Sequence, residues 1–263
     1  ETIRMTALWL YDYWRKTRLG GYANALSGGK DSAFTMTMVS VAIDLAIDEL
    51  GFEGFLEDMK HLRCCGEARD VYKDKGLEDA VAFVKHNVMT GVTLPTENNS
   101  DETRIAARTL IEGGQDPLSK RHVNGIGGKF LSRNIQPIVD ALAVVYAIED
   151  PAIVGDPTLA DEVKEMIIDY FYLKPSNTSP EKLAAEAKKL LDLYPEVEQL
   201  VSAADPKTST TYENAQARAR EAVILMITNA EGKIAIANPN LTEACNSYAT
   251  FGGDLHSGMV NPN

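Results

Sequence analysis

The sequence predicts an α/β fold in which helices cover both faces of an open parallel sheet, with a helical insertion. Three observations predict it. Short apolar segments alternate with amphipathic ones, as in 22–26 followed by 33–50, an alternation that builds βα units. Polar, turn-forming clusters follow two of the strand candidates, SGGKDS at 27–32 and NPNLTE at 238–243, and open α/β sheets bind ligands at the C-terminal ends of their strands. From about 149 to 207 the chain turns acidic and helix-rich and is punctuated by Pro151, Pro157, Pro175, Pro180, Pro195 and Pro206, the pattern of short helices inserted into a larger unit. At 263 residues, one domain spanning 1–263 with that insertion fits better than two independent ones.

Each element has its own reason. Residues 2–18 read as a helix with Leu8, Trp9, Tyr11 and Trp14 on or near one face, and with Arg15, Lys16 and Arg18 at the end where the helix dipole favours cations. Gly20 and Gly21 stop it before the strand 22–26. The segment 88–94 is a second strand candidate, and Ser100 is a fitting N-cap for a helix over 101–111, with Asp101 and Glu102 in its first turn and Gly113-Gly114 beyond its end. His122 to Lys129 reads as a flexible glycine loop, and 134–147 as a buried helix with Pro137 near its first turn. Within the insertion, 159–173 and 180–193 are helix candidates. A helix over 212–229 sets Gln216 and Arg220 on one face and Asn214 and Arg218 on the neighbouring stripe; the strand 233–237, a short helix from Leu241 to Tyr248 and a glycine-rich end follow.

Bulk properties exclude several classes. Net charge is −12, which opposes a nucleic-acid-coating surface, because such binding draws on Lys and Arg against phosphates. The apolar fraction is 44% with no long uncharged run, so no membrane-spanning segment is expected. Cys64, Cys65 and Cys245 form neither a CxxC pair nor an even framework, and the reading is of ordinary thiols in a reducing cytoplasm. His61, His86, His122 and His256 lack zinc-ligand spacing. The chain opens on Glu1 without an initiating Met, as a processed end or a cut from a longer polypeptide would.

SGGKDS carries the chemistry. Glycines let backbone N–H groups crowd an anion, and a helix N-terminus adds positive partial charge. Ser27, Gly28, Gly29 and Ser32 can wrap a pyrophosphate, Asp31 can hold Mg²⁺ beside phosphate oxygens, and Lys30 can neutralise charge or point to solvent. The bland alternative is a capped turn. The spacing is not that of a Walker A loop.

The pattern SGGxDS after a strand resembles the PP-loop of ATP pyrophosphatases, whose fold is of the adenine-nucleotide α-hydrolase type. Further blocks resemble, in order, the synthetase part of glutamine-dependent NAD⁺ synthetases: WLYDYWRKTRLGGYANALSGGKDS (9–32), TENNSDETRIAARTLIE (96–112), NIQPIVDA (134–141), TYENAQARAR (211–220) and NPNLTEACNSYATFGGDLHSG (238–258). The resemblance implies ATP-dependent amidation of deamido-NAD⁺ through an acyl-adenylate, releasing AMP and pyrophosphate, with ATP as co-substrate and Mg²⁺ as cofactor. It implies that Asp31 and Glu243 hold the metal. Ser27, Gly28, Gly29, Lys30 and Ser32 bind the ATP phosphates. Asn214 and Arg218 line the dinucleotide pocket, and Asp254 faces the nicotinate end and the incoming ammonia. It further implies a homodimer.

The departures are specific. Asn238 replaces a family threonine that touches ATP, Phe251 replaces a lysine that would pair with the substrate, and His256 is a candidate substitute for that cation. No counterpart aligns with 51–86 or with the insertion. No glutaminase module precedes Glu1, so this chain alone is expected to use free ammonia, with a glutaminase domain or subunit as a possible partner. The alternatives are another PP-loop amidating ligase, a tRNA-modifying relative that the acidity disfavours, a non-catalytic nucleotide-binding relative, and a structural protein with a coincidental loop.

Overall fold

The computed structural model describes residues 1–96, 99–116, 119–147, 179–193 and 210–238. They form α1 (Thr2–Thr17), β1 (Tyr22–Ala25), α2 (Lys30–Asp58), α3 (Cys65–Lys75), α4 (Leu77–Val88), β2 (Met89–Thr93), α5 (Asp101–Glu112), β3 (Gly114–Gln115), β4 (His122–Val123), β5 (Lys129–Ser132), α6 (Gln136–Ala147), α7 (Pro180–Leu193), α8 (Thr210–Glu231) and β6 (Ile234–Ile236).

The chain divides into two compact units, one comprising Glu1–Asn134 with Arg220–Asn263 and the other Ile135–Ala219. The first contains a four-stranded sheet of order β5-β2-β1-β6, parallel at every pairing: Ala23 faces Thr90 and Ala235, and Thr90 faces Lys129. Every residue of β2 is buried, as expected of a strand inside a covered parallel sheet. β3 and β4 form a separate antiparallel pair. In the second unit, α6, α7 and the first turns of α8 are described.

Side chains alternate across the sheet, so Tyr22 and Asn24 leave one face of β1 and Ala23 leaves the other. On the first face the Tyr22 hydroxyl donates to the Leu10 carbonyl of α1 (2.7 Å) and Asn24 Nδ2 to the Ser32 carbonyl of α2 (3.3 Å). Gly91 of β2 lies flush beneath Leu26 and Ile111 of α5, with room for no Cβ: one would sit 2.6 Å from Leu26 Cδ1. On the opposite face Thr90 meets Glu231, the last residue of α8. Helices thus reach both faces.

α1 buries Ala7, Leu10, Tyr11 and Trp14, a stripe at helical spacing, against α2, where Phe55 touches both Tyr11 and Trp14. Leu8 and Trp9, expected on that stripe, are exposed. They belong to a second apolar row with Met5, and the small Ala7 takes the core position instead. α2 begins at Lys30, earlier than the expected 33, and continues past Leu50. At Gly51 the backbone leaves helical geometry (φ 69°, ψ 164°) and bends the helix.

Two further stretches depart from the sequence reading. The stretch 51–86, for which no pattern aligned, completes α2 and adds α3 and α4. Lys129, read as the last residue of the glycine loop, instead opens strand β5, which runs to Ser132. The helices at 159–173 and 241–248 and the glycine-rich end lie outside the described residues, whereas the helix expected at 180–193 is α7.

Candidate functional site

Strand order reverses between β1 and β6: the chain leaves β1 towards β2 and β5 and returns to pair β6 on the other side of β1. A crevice opens at such a switch point, outside the C-terminal ends of the strands. Both polar clusters of the sequence begin there, Ser27 after β1 and Asn238 after β6.

The Ser27–Ser32 segment is folded on its own hydroxyls. Ser27 Oγ accepts from the Gly29 N–H (3.1 Å) and lies 3.2 Å from Ser32 Oγ. Ser32 Oγ donates to the Gly29 carbonyl (3.2 Å) and accepts from the Ser27 N–H (3.3 Å). Gly29 is the N-cap of α2 and offers no side-chain cap, so the first-turn N–H groups, which have no acceptor within the helix, face outward with the positive end of the dipole. Ser27, Gly28, Gly29 and Lys30 are exposed, Asp31 is half-buried and Ser32 is buried. Gly28 takes φ 82°, and a Cβ there would lie 2.6 Å from the Thr103 carbonyl oxygen. The loop is therefore pressed against the first turn of α5, and only glycine combines that φ with that approach.

α5 is prepared as the sequence expects. Ser100 Oγ accepts from the Thr103 N–H (3.4 Å), and Gly113 ends the helix at φ 80°. Ahead of it, Asn99 Oδ1 accepts from both the N–H and the hydroxyl of Thr96 (2.8 and 3.1 Å), closing the turn that leaves β2. On the β6 side, the half-buried Asn238 donates from Nδ2 to the Ala25 carbonyl (2.9 Å), tying the end of β6 to the end of β1.

Ser27, Gly28, Gly29, Lys30, Asp31, Ser32 and Asn238 thus come together at one end of one sheet. Asn214 and Arg218 lie on the part of α8 that belongs to the second unit, Asn214 half-buried and Arg218 exposed. Glu243, Phe251, Asp254 and His256 lie outside the described residues, as does Cys245. Sequence reading missed Thr103 as the wall behind Gly28, and Asn24 beneath the loop. The one available signal for the latter was a lone amide inside an apolar strand.

A second polar cluster, absent from the sequence reading, sits at the opposite edge of the sheet. Glu231 Oε1 meets Lys129 Nζ (2.6 Å), and its Oε2 meets Lys233 Nζ (2.9 Å) and accepts from the Thr90 hydroxyl (2.7 Å). Lys233 Nζ also donates to Thr90 Oγ1 (2.6 Å). Burial pulls the Glu231 carboxyl up, but the bonds from Lys129, Thr90 and Lys233 outweigh it and hold it at about 2. Every charge here has a partner, which marks a structural cluster.

The cysteine pair is buried. Burial pushes the Cys64 thiol up to about 11 and Cys65 also upward, and Cys65 Sγ points to the Met59 carbonyl (3.4 Å); both are protonated, unreactive thiols near neutral pH. Among the described residues no group of three His, Cys, Asp or Glu could hold a metal, and no helix is long and apolar enough to cross a membrane.

No protein-family model matches the chain. It is 30% identical over 140 residues to the glutamine-dependent NAD(+) synthetase of Oryza sativa subsp. indica, a match covering 52% of this chain and 16% of that protein. In structure it is similar to a glutamine-dependent NAD(+) synthetase from Cytophaga hutchinsonii (TM-score 0.67, 23% identity), over 96% of this chain and 33% of that one. It is also similar to an NH3-dependent NAD synthetase from Campylobacter jejuni (TM-score 0.50, 14% identity), over 99% of this chain and 65% of that one. The chain therefore spans about one sixth of the length of the curated relative. The α/β fold is the one these synthetases share, and the resemblance carried by the sequence blocks is borne out.

Proposed function

We propose that this chain amidates deamido-NAD⁺ to NAD⁺ at the expense of ATP, which is split into AMP and pyrophosphate. The observation that supports it most is the serine-glycine loop at the β1/β6 switch point. There, outward-facing first-turn N–H groups of α2 and the exposed Gly28-Gly29 backbone form a cradle for phosphate oxygens.

The nicotinate carboxylate attacks the α-phosphorus of ATP, giving an acyl-adenylate and pyrophosphate, and ammonia then displaces AMP to form the amide. The protein positions and stabilises charge instead of supplying a nucleophile. Ser27 and Ser32 shape the cradle. Lys30, exposed beside it, neutralises phosphate charge. Asn214 and Arg218 hold the dinucleotide, and Asp254 stands at the nicotinate end.

Asp31 suits a Mg²⁺ site: the residue is half-buried in the first turn of α2, where the phosphates would lie. Mg²⁺ takes one or two carboxylates plus phosphate oxygens, and Glu243 would be the second. When bound, the ion balances charge on the leaving pyrophosphate. We further place the enzyme in the cytoplasm as a homodimer that draws ammonia from solution or from a glutaminase domain or subunit.

The test is pyrophosphate release with ATP, Mg²⁺ and deamido-NAD⁺, with and without ammonium. Release that requires deamido-NAD⁺, yields NAD⁺ only with ammonium, and falls at least about a hundredfold in Asp31→Ala, as loss of a metal carboxylate should cause, supports the reading. ATP binding without any release would instead assign the chain to a non-catalytic nucleotide-binding relative.

A further inference from the structure

Asn24 is the one amide side chain inside β1, and it is fully buried, with 0% of its surface exposed. It occupies the sheet face between Tyr22 and Leu26, opposite Gly91. Its amide is only half used. Nδ2 donates to the Ser32 carbonyl (3.3 Å), while Oδ1 meets no donor among the described residues. A buried carbonyl without a donor is a cost to folding, and an apolar side chain of similar shape avoids it. Leucine is such a side chain, and volume-conserving replacements are the best tolerated in a core. Stability alone therefore gives no reason for asparagine here.

The bond that Asn24 does make points to a reason. Ser32 is the hub of the loop: its hydroxyl links the Ser27 N–H, the Ser27 hydroxyl and the Gly29 carbonyl. Its carbonyl, already in the first turn of α2, is gripped from the sheet side by Asn24. The sheet amide thus fixes the main chain of the residue whose hydroxyl fixes the loop.

We propose that Asn24 is a positioning residue for the phosphate cradle, retained at the expense of stability; this rests on the reading of the loop as an ATP site. The chain Asn24–Ser32–Ser27/Gly29 joins rigid strand to exposed loop, and such support from behind is what holds a binding constellation to its working geometry.

The experiment compares wild type with Asn24→Leu by thermal melting, by ATP·Mg²⁺ titration calorimetry and by hydrogen exchange at the Gly29 to Ser32 amides. The expected result is a melting temperature equal to or above wild type, ATP affinity lower by roughly three- to tenfold, the usual worth of one hydrogen bond, and faster exchange at the loop. A variant that melts as wild type does and binds ATP equally well overturns the proposal. So does a variant that melts well below wild type, because Asn24 is then a residue of the fold. If wild type itself binds no ATP, the reading of the loop fails, and hydrogen exchange decides the positioning role: faster loop exchange sustains it and unchanged exchange overturns it.

Discussion

At the N-terminal edge of the sheet, Glu231 is enclosed by Lys129, Lys233 and Thr90, each at hydrogen-bond distance. At the C-terminal edge of the same strands, Ser27, Gly28, Gly29 and Lys30 are exposed, and the helix above them starts without a side-chain cap. Both edges gather polar residues, yet only one leaves donors facing outward. Charge density by itself does not mark a site. What marks it is an exposed serine-glycine loop at the uncapped start of a helix, whereas the ionic cluster closes on itself and holds β2, β5, β6 and the end of α8 together.

The sharpest way to break this contrast is Glu231→Ala. The Lys233 side chain is 5% exposed, so removing its carboxylate leaves a buried charge unpaired, and the loss of stability should be about 2–4 kcal/mol, read by urea unfolding. ATP affinity of the folded fraction should stay unchanged. Acid sharpens the same point. The Glu231 carboxyl lies at about 2 in the folded chain against an ordinary 4.5. Its contribution is therefore full above about pH 4.5 and fades as pH falls towards 2. Between those limits, Glu231→Gln should lose stability less steeply than wild type; parallel slopes would show that the cluster does not hold the carboxyl ionised.

At the other edge, Gly28→Ala should act on binding more than on folding. The new Cβ meets the Thr103 carbonyl oxygen at 2.6 Å and the residue must keep φ 82°. The strain, of order 1–2 kcal/mol, falls on an exposed loop that can shift to relieve it. A shifted loop no longer presents its N–H groups, so ATP affinity should drop by about tenfold or more while the melting temperature moves by only a few degrees. An unaltered affinity would mean that the cradle does not bind phosphate through this loop.

How legible each edge was in the sequence follows from how local its contacts are. The loop is six consecutive residues at a strand–helix junction, and α5 declares itself through Ser100, Asp101, Glu102 and Gly113; such signals need only neighbours along the chain. Glu231, Lys129, Lys233 and Thr90 meet only because β5, β2 and β6 lie in one sheet, and no pattern in the sequence places residues 90 and 231 together. β5 was hidden by its approach, since Gly127 and Gly128 adopt φ 83° and 111° and make the segment before it a genuine turn. On α1 Tyr11 and Trp14 lie on the core stripe as expected, but Leu8 and Trp9, which outweigh Ala7 by size, do not; the core completes the stripe with Ala7 and Leu10.

Asn238 tests whether the two edges are as distinct as this contrast makes them. It stands where the resemblance places a threonine in contact with ATP, yet its Nδ2 bonds the Ala25 carbonyl at 2.9 Å. The β1–β6 pairing reaches only Asn24 and Ile236, so this side chain ties the strands together beyond their last paired residues. Threonine is too short to keep that reach. Asn238→Thr should therefore cost about 1 kcal/mol, the net worth of one hydrogen bond, and lower the melting temperature correspondingly, while any gain in ATP affinity measures what the substitution took from the site. A fall in stability together with tighter ATP binding would show that the C-terminal edge has given up part of its ligand contacts to structure, as the N-terminal edge has done throughout. An unchanged melting temperature would show that the bond to Ala25 contributes nothing, and that the crevice side of the sheet keeps its polar groups for a ligand.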